Sequence, residues 1–145
     1  MTVTLFVGSG IGDVAISKNF DALGGTVAIS PRYNVQSSSP DVSIGYGSDS
    51  TSVVLEASTS KQKLTVSQLV TDNDIVTPSV TSGGDVAFSW KRSLSGGNAI
   101  TTTVKVNDSI NVKWEDGPWT ASFDSPLDGI STDGVNVHIT RKLSV

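Results

Sequence analysis

The sequence predicts an all-β fold: an antiparallel meander of about ten to twelve short strands, either a closed barrel or a sandwich-like one. Three observations predict it. Apolar residues recur at every second position along most of the chain. Clusters of Gly, Asn, Asp and Ser separate these runs at short intervals. No segment carries a convincing 3.6-residue periodicity, which a helix packed on one side would need.

The runs follow in chain order. Val3, Leu5 and Val7 alternate with Thr2, Thr4 and Phe6. Val14 and Ile16 come next, and Ser17 to Leu23 is the one stretch that could form a single helical turn. Val27 and Ile29 follow, then a loop expected from Gln36 to Asp41 around three serines. Val42, Ile44 and Tyr46 alternate with small residues, as do Val53, Leu55 and Ala57, and Leu64 and Val66 continue the pattern. Val86, Phe88 and Trp90 alternate with Ala87, Ser89 and Lys91. Ile100, Val104 and Val106 precede Ile110, Val112 and Trp114. Trp119, Ala121 and Phe123, then Val135, Val137 and Ile139, complete the series. One face is thus rich in Val and Ile and the other in Ser, Thr, Asn and Lys. An antiparallel sheet with one water-excluding side produces that division.

The punctuation agrees with a meander. Gly24-Gly25, Ser82 to Asp85, Ser95 to Asn98, Glu115 to Pro118 and Asp133-Gly134 are turn clusters, because Gly and Asn accept positive φ and Asp bonds its own backbone. Connections this short join antiparallel neighbours, since a parallel crossover needs a dozen or more residues. An Asp followed by an alternating strand recurs at Asp13, Asp41 and Asp85, with a looser echo at Asp108; the unequal spacings argue against a solenoid or propeller.

Composition bounds the function. A chain of 145 residues fits one domain, residues 1–145. It has no cysteine, so disulfide and thiolate chemistry are excluded. The net charge is −4, and the densest cation pairs are only Lys91-Arg92 and Arg141-Lys142. Nucleic-acid binding rests on clustered cations and is not expected, and an anionic membrane surface is disfavoured for the same reason. The N-terminal residues lack a basic region and do not read as a signal peptide.

Catalytic and metal chemistry find little footing. His138 is the only histidine, and alternation places it on the polar face with Asn136 and Thr140. No nucleophile and orienting acid stand beside it in the sequence, so a solvated strand histidine is expected. Gly8-Ser9-Gly10-Ile11-Gly12 has the wrong spacing for a dinucleotide loop and is followed by a strand. Asp72-Asn73-Asp74 offers oxygens but lacks the further ligands of a calcium loop, and reads as a turn. Glu56, Glu115, Asp116 and Asp124 are carboxylates whose pairing across a cleft the sequence does not determine. Asn107-Asp108-Ser109 has the form of a glycosylation acceptor and reads as a turn. No catalytic residue, cofactor or metal is therefore expected, and the chain is read as a non-enzyme.

The tryptophans are the most informative residues. Trp114 and Trp119 flank an expected four-residue turn and are placed to pair across the hairpin, with Trp90 nearby in sequence pattern. Two uses stand open: packing at one aromatic end of the core, or exposed contact with a partner. Trp90, Trp114 and Trp119 are the candidate partner-contact residues.

The segment from Val86-x-Phe88-x-Trp90-Lys91-Arg92 through Asn107-Asp108-Ser109-Ile110 to Trp114 and Trp119-Thr120-Ala121 resembles β-meander proteins of algal and diatom plastids. These include outer-envelope β-proteins and accessory subunits of photosynthetic complexes. The resemblance covers roughly residues 85 to 142, and brings no catalytic residue with it. It implies a scaffold, docking or channel role and a plastid setting. The expected function is a structural or docking module that binds a larger protein assembly or self-associates. Alternatives are a small membrane β-barrel, for which most runs are short of the 9–11 residues a spanning strand needs, and a soluble barrel holding an apolar ligand.

Overall fold

The computed structural model describes residues 2–7, 11–127 and 134–142, with side chains from residue 14 onward. Twelve strands make up these residues: β1 (Thr2–Val7), β2 (Ile11–Ala22), β3 (Gly25–Asn34), β4 (Ser39–Gly47), β5 (Thr51–Ser58), β6 (Gln62–Thr71), β7 (Asp74–Thr81), β8 (Val86–Ser93), β9 (Ala99–Lys105), β10 (Ser109–Asp116), β11 (Trp119–Pro126) and β12 (Asn136–Arg141). They form one sheet in sequence order, β1 to β12, so the all-β antiparallel meander is the architecture. Among the described residues the order runs from β1 to β12, and these two strands are not paired with each other. Of the two forms expected, closed or sandwich-like, this order is consistent with the second. Contacts cluster into two compact units, Met1–Ser67 with Val80–Gly84, and Gln68–Ser79 with Asp85–Val145.

In the first unit, the registers Val14↔Tyr33, Ile29↔Ile44 and Ile44↔Leu55 carry the apolar alternation from strand to strand. Paired residues share a face. Val14, Ile16, Phe20, Val27, Ile29, Val42, Ile44, Val53 and Leu55 therefore lie on one side, with Ser30, Ser43 and Glu56 on the other. The helical turn expected from Ser17 to Leu23 is not formed, because Lys18 and Phe20 continue the β2 ladder opposite Ile29 and Val27. A two-residue turn then reverses the chain, with Leu23 and Gly24 both at positive φ (55° and 74°). The loop expected from Gln36 to Asp41 is shorter. Ser39, Pro40 and Asp41 belong to β4, paired with Asn34, Tyr33 and Arg32. The Asn34 side chain organises that tighter turn, its Oδ1 accepting from the Ser37 N–H and hydroxyl at 2.8 Å each. Pro31, which has no N–H, interrupts the β2–β3 pairing between Ala15↔Arg32 and Lys18↔Ile29. The Ser17 and Ser30 hydroxyls bridge the gap at 3.1 Å.

In the second unit, β8 to β12 keep unbroken registers. The chain turns between β10 and β11 at Gly117 and Pro118 alone, with Gly117 at φ 53°. Glu115 and Asp116 are ladder residues, paired with Thr120 and Trp119, so the expected four-residue turn is corrected to two. The recurrent Asp is corrected likewise. Asp41 lies within β4 and Asp13 within β2, whereas Asp85 and Asp108 immediately precede β8 and β10. Ser95–Gly97 forms a short 3₁₀ turn, with Gly96 and Gly97 at φ 76° and 81°. The clusters at Gly8-Ser9-Gly10, Asp128-Gly129 and Asp133 lie outside the described residues.

The faces are segregated as alternation predicts, but the apolar one does not exclude water. Among the described residues only Ala99 and Asp74 are buried. Ile44 is 39% exposed and Val137 67%.

Candidate functional site: an aromatic sheet face

Trp90 and Arg92 are two residues apart in β8, so both leave the sheet on the same side. The register extends that side across the second unit in rows. Trp90 aligns with Thr102, Val112, Phe123 and Val137. Arg92 aligns with Ile100, Trp114, Ala121 and Ile139. Asp116, Trp119 and Arg141 form the next row. Trp114 and Trp119 are therefore diagonal neighbours, roughly 7–8 Å apart at the backbone. Trp114 stands directly opposite Ala121 rather than Trp119. Trp90 sits two strands from Trp114, about 10 Å across the sheet. The structure thus brings all three predicted residues onto one face, each 40–43% exposed.

Two of the three indoles are held by charged neighbours. The Arg92 guanidinium lies 5.5 Å from the Trp90 ring centre, and that of Arg141 lies 5.1 Å from the Trp119 ring centre. Beneath the first pair is Asp74, the one buried charged residue described, only 6% exposed. Its Oδ1 accepts from Trp90 Nε1 and from Arg92 Nε, both at 2.9 Å. Its Oδ2 accepts from Arg92 Nη2 at 3.0 Å and from the Thr71 hydroxyl at 2.7 Å. Hydrogen bonds from Arg92 and then Thr71 hold the carboxyl below its ordinary pKa, outweighing the opposite pull of burial. The bidentate fork fixes the guanidinium, which in turn fixes the indole.

Asp74 opens β7 after the two-residue turn Asp72-Asn73, and β8 is brought alongside by a bond from the Ser93 N–H to the Asn73 carbonyl. Sequence reasoning missed Asp74, Arg92 and Thr71 as a cluster. Alternation does place Trp90 and Arg92 together. Nothing local says that a turn carboxylate 16 residues earlier accepts from both, because that depends on the β7–β8 alignment.

The opposite face is polar and internally bonded. Thr103 donates to Ser89 at 3.2 Å, Asn111 to Asp124 at 2.6 Å, and Lys113 to Glu115 at 2.8 Å. His138 lies on this face, aligned with Ser122 and Lys113. Glu115 and Asp116, adjacent in β10, point to opposite faces and do not form a carboxylate pair. Lys113 holds the Glu115 carboxyl below its ordinary pKa. Asp74 and Glu115 are thus both held in the ionised form by their hydrogen-bond donors. Among the described residues no three His, Cys, Asp or Glu side chains converge as a metal site. No helix among them is long and apolar enough to cross a membrane.

The apolar face of the first unit carries a groove of about 550 Å³, lined by Ile16, Pro31, Tyr33, Pro40, Val42 and Ala57. It lies where Pro31 interrupts the ladder. The Arg32–Asp41 ion pair (3.1 Å) stands at its rim.

No family model matches the chain, and no curated protein matches it.

Proposed function

We propose that the chain is a non-enzymatic docking module that binds a protein partner through the apolar face of β8 to β12. One observation carries this reading: Trp90, Trp114 and Trp119 share a face that leaves each of them about two-fifths exposed. Each indole presents roughly 100 Å² to water, so covering it contributes about 2.5 kcal/mol. Three such residues, with Phe123, Val137 and Ile139 around them, offer enough to offset an association cost of at least about 4 kcal/mol. Two indoles already stacked under arginines lose little further side-chain freedom on binding. The complementary surface is apolar, with a carboxylate opposite Arg141, the exposed cation of the last row. The resemblance to plastid β-meander proteins points to a photosynthetic assembly as its setting.

The groove of the first unit favours a second reading, a site for an apolar ligand, since its volume falls within the usual range of small-molecule sites.

The test is site-specific photo-crosslinking in extract of the source cell, with the reactive group at Phe123 on the apolar face or at Ser122 on the polar one. The expected result is one protein captured from Phe123 only, which binds again when both components are pure. Its affinity should fall at least tenfold on Trp114→Ser and be unchanged on Lys91→Ser. Equal capture from both faces, or a pure partner indifferent to Trp114→Ser, would overturn the reading.

A further inference from the structure

β12 ends the sheet, and its phase is set by the Lys142 N–H bonding the Pro118 carbonyl at 2.9 Å. Hydrogen-bonded pairs alternate along an antiparallel ladder. Thr140, His138 and Asn136 therefore turn their peptide groups toward β11. Those of Val137, Ile139 and Arg141 turn outward, and among the described residues no strand lies there. Sheet edges are ordinarily protected by proline, a bulge or an inward-pointing charge. β12 has no proline and a continuous register with β11, and its single charge, Arg141, is at its end and engaged with Trp119. All six of its residues are exposed, with Val137 at 67% and Ile139 at 64%.

We infer that this edge pairs with β12 of a second copy of the chain, antiparallel and centred on His138. The polarity pattern is what selects a second copy. Asn136-Val137-His138-Ile139-Thr140 reads polar, apolar, polar, apolar, polar from either end. A two-fold axis at His138 sets Val137 of each copy against Ile139 of the other, exchanging both outward N–H···O bonds. Asn136 then meets Thr140, and Val135 meets Arg141. Every apolar side chain stays on its own face, so the Trp-bearing surface runs unbroken from one copy into the other. A two-fold contact of this kind closes on itself and gives a dimer rather than a filament. One strand edge buries less than the roughly 1,200 Å² of a standard interface, which places the contact among the weak, transient ones.

The experiment is sedimentation velocity on the full chain from about 1 to 300 µM. The wild type is expected to pass from monomer to dimer within this range. Ile139→Pro removes an outward N–H and leaves the β11 ladder bonds of Thr140 and His138 in place. Val137→Lys with Ile139→Lys places like charges across the axis. Both should weaken dimerisation at least tenfold while the tryptophan near-ultraviolet circular dichroism is retained, and Trp114→Ser should leave it unchanged. In a dimer of mixed isotopic labelling, the Hα of His138 in one copy should contact that of the other. A wild type that stays monomeric at every concentration overturns the inference. So does a dimer as strong in both edge variants, or one lost on Trp114→Ser. The docking reading fails or stands separately, on the crosslinking from Phe123.

Discussion

Asp74 shows how one residue can organise several. Its two oxygens accept from an indole, both arms of a guanidinium fork and a hydroxyl, and this donor set favours the ionised form. Because its folded pKa is lowered, the stabilisation is present above the ordinary carboxylate value of 3.8 and is lost as pH falls through the lower folded value. Asp74→Asn should therefore be less stable than the wild type at neutral pH. The difference should shrink as the pH is taken down to about 3, read from urea unfolding at each pH. Leu23 is the opposite case. It occupies the first position of a turn whose two central residues both need positive φ, and it is 91% exposed. It bears backbone strain without compensating burial. Asparagine tolerates that backbone better, so Leu23→Asn should raise unfolding stability by about 0.5–1 kcal/mol in urea titration.

Pairs of strands set positions that no single residue controls. Gly25 begins β3 beneath Tyr46, whose hydroxyl donates to the Leu23 carbonyl at 3.0 Å and pins the ring over the glycine. A Cβ at Gly25 would collide with the Gly47 carbonyl oxygen and meet the Tyr46 ring at 2.8–2.9 Å. Gly25→Ala should cost about 1–3 kcal/mol, measured by urea unfolding, because a rigid carbonyl cannot move aside as a flexible side chain would. The β10–β11 hairpin makes a related point about register. Shortening the turn to Gly117-Pro118 moves Trp119 opposite Asp116 rather than Trp114. The two indoles then lie diagonally and spread across the face instead of stacking directly across the ladder.

At the scale of the chain, a division of faces, interrupted on the apolar side by Lys18, Arg92, Asp116 and Arg141, coexists with very little burial among the described residues. A core tryptophan truncated to a small residue costs about 3–5 kcal/mol. Trp114 is 40% exposed, so Trp114→Ser should cost less than about 2 kcal/mol in the isolated chain. The same substitution should cost more once a partner covers the face. Thermal unfolding of the variant, alone and with the partner, reads this difference. Among the described residues, Arg32, Arg92, Lys105 and Lys113 each have a carboxylate within 4 Å.

Much of this was legible in the residues. A strand repeats every two positions, so the alternation of Val42, Ile44 and Tyr46, or of Val112 and Trp114, determines which side chains share a face without reference to any partner strand. The same locality placed His138 on the polar face, while the shared face of Trp90, Trp114 and Trp119 needed the registers of β8 to β11. Turn chemistry was legible only to within a residue or two, as Ser39 to Asp41 and Glu115-Asp116 show, because a strand continues for as long as a neighbour pairs with it. The Asp74 cluster, the diagonal placement of Trp114 and Trp119, the open ends of the sheet and the wetness of its apolar face were decided by tertiary structure alone. Each depends on which peptide groups meet across strands and on what lies above a face, and those are long-range contacts that a two-residue period does not encode.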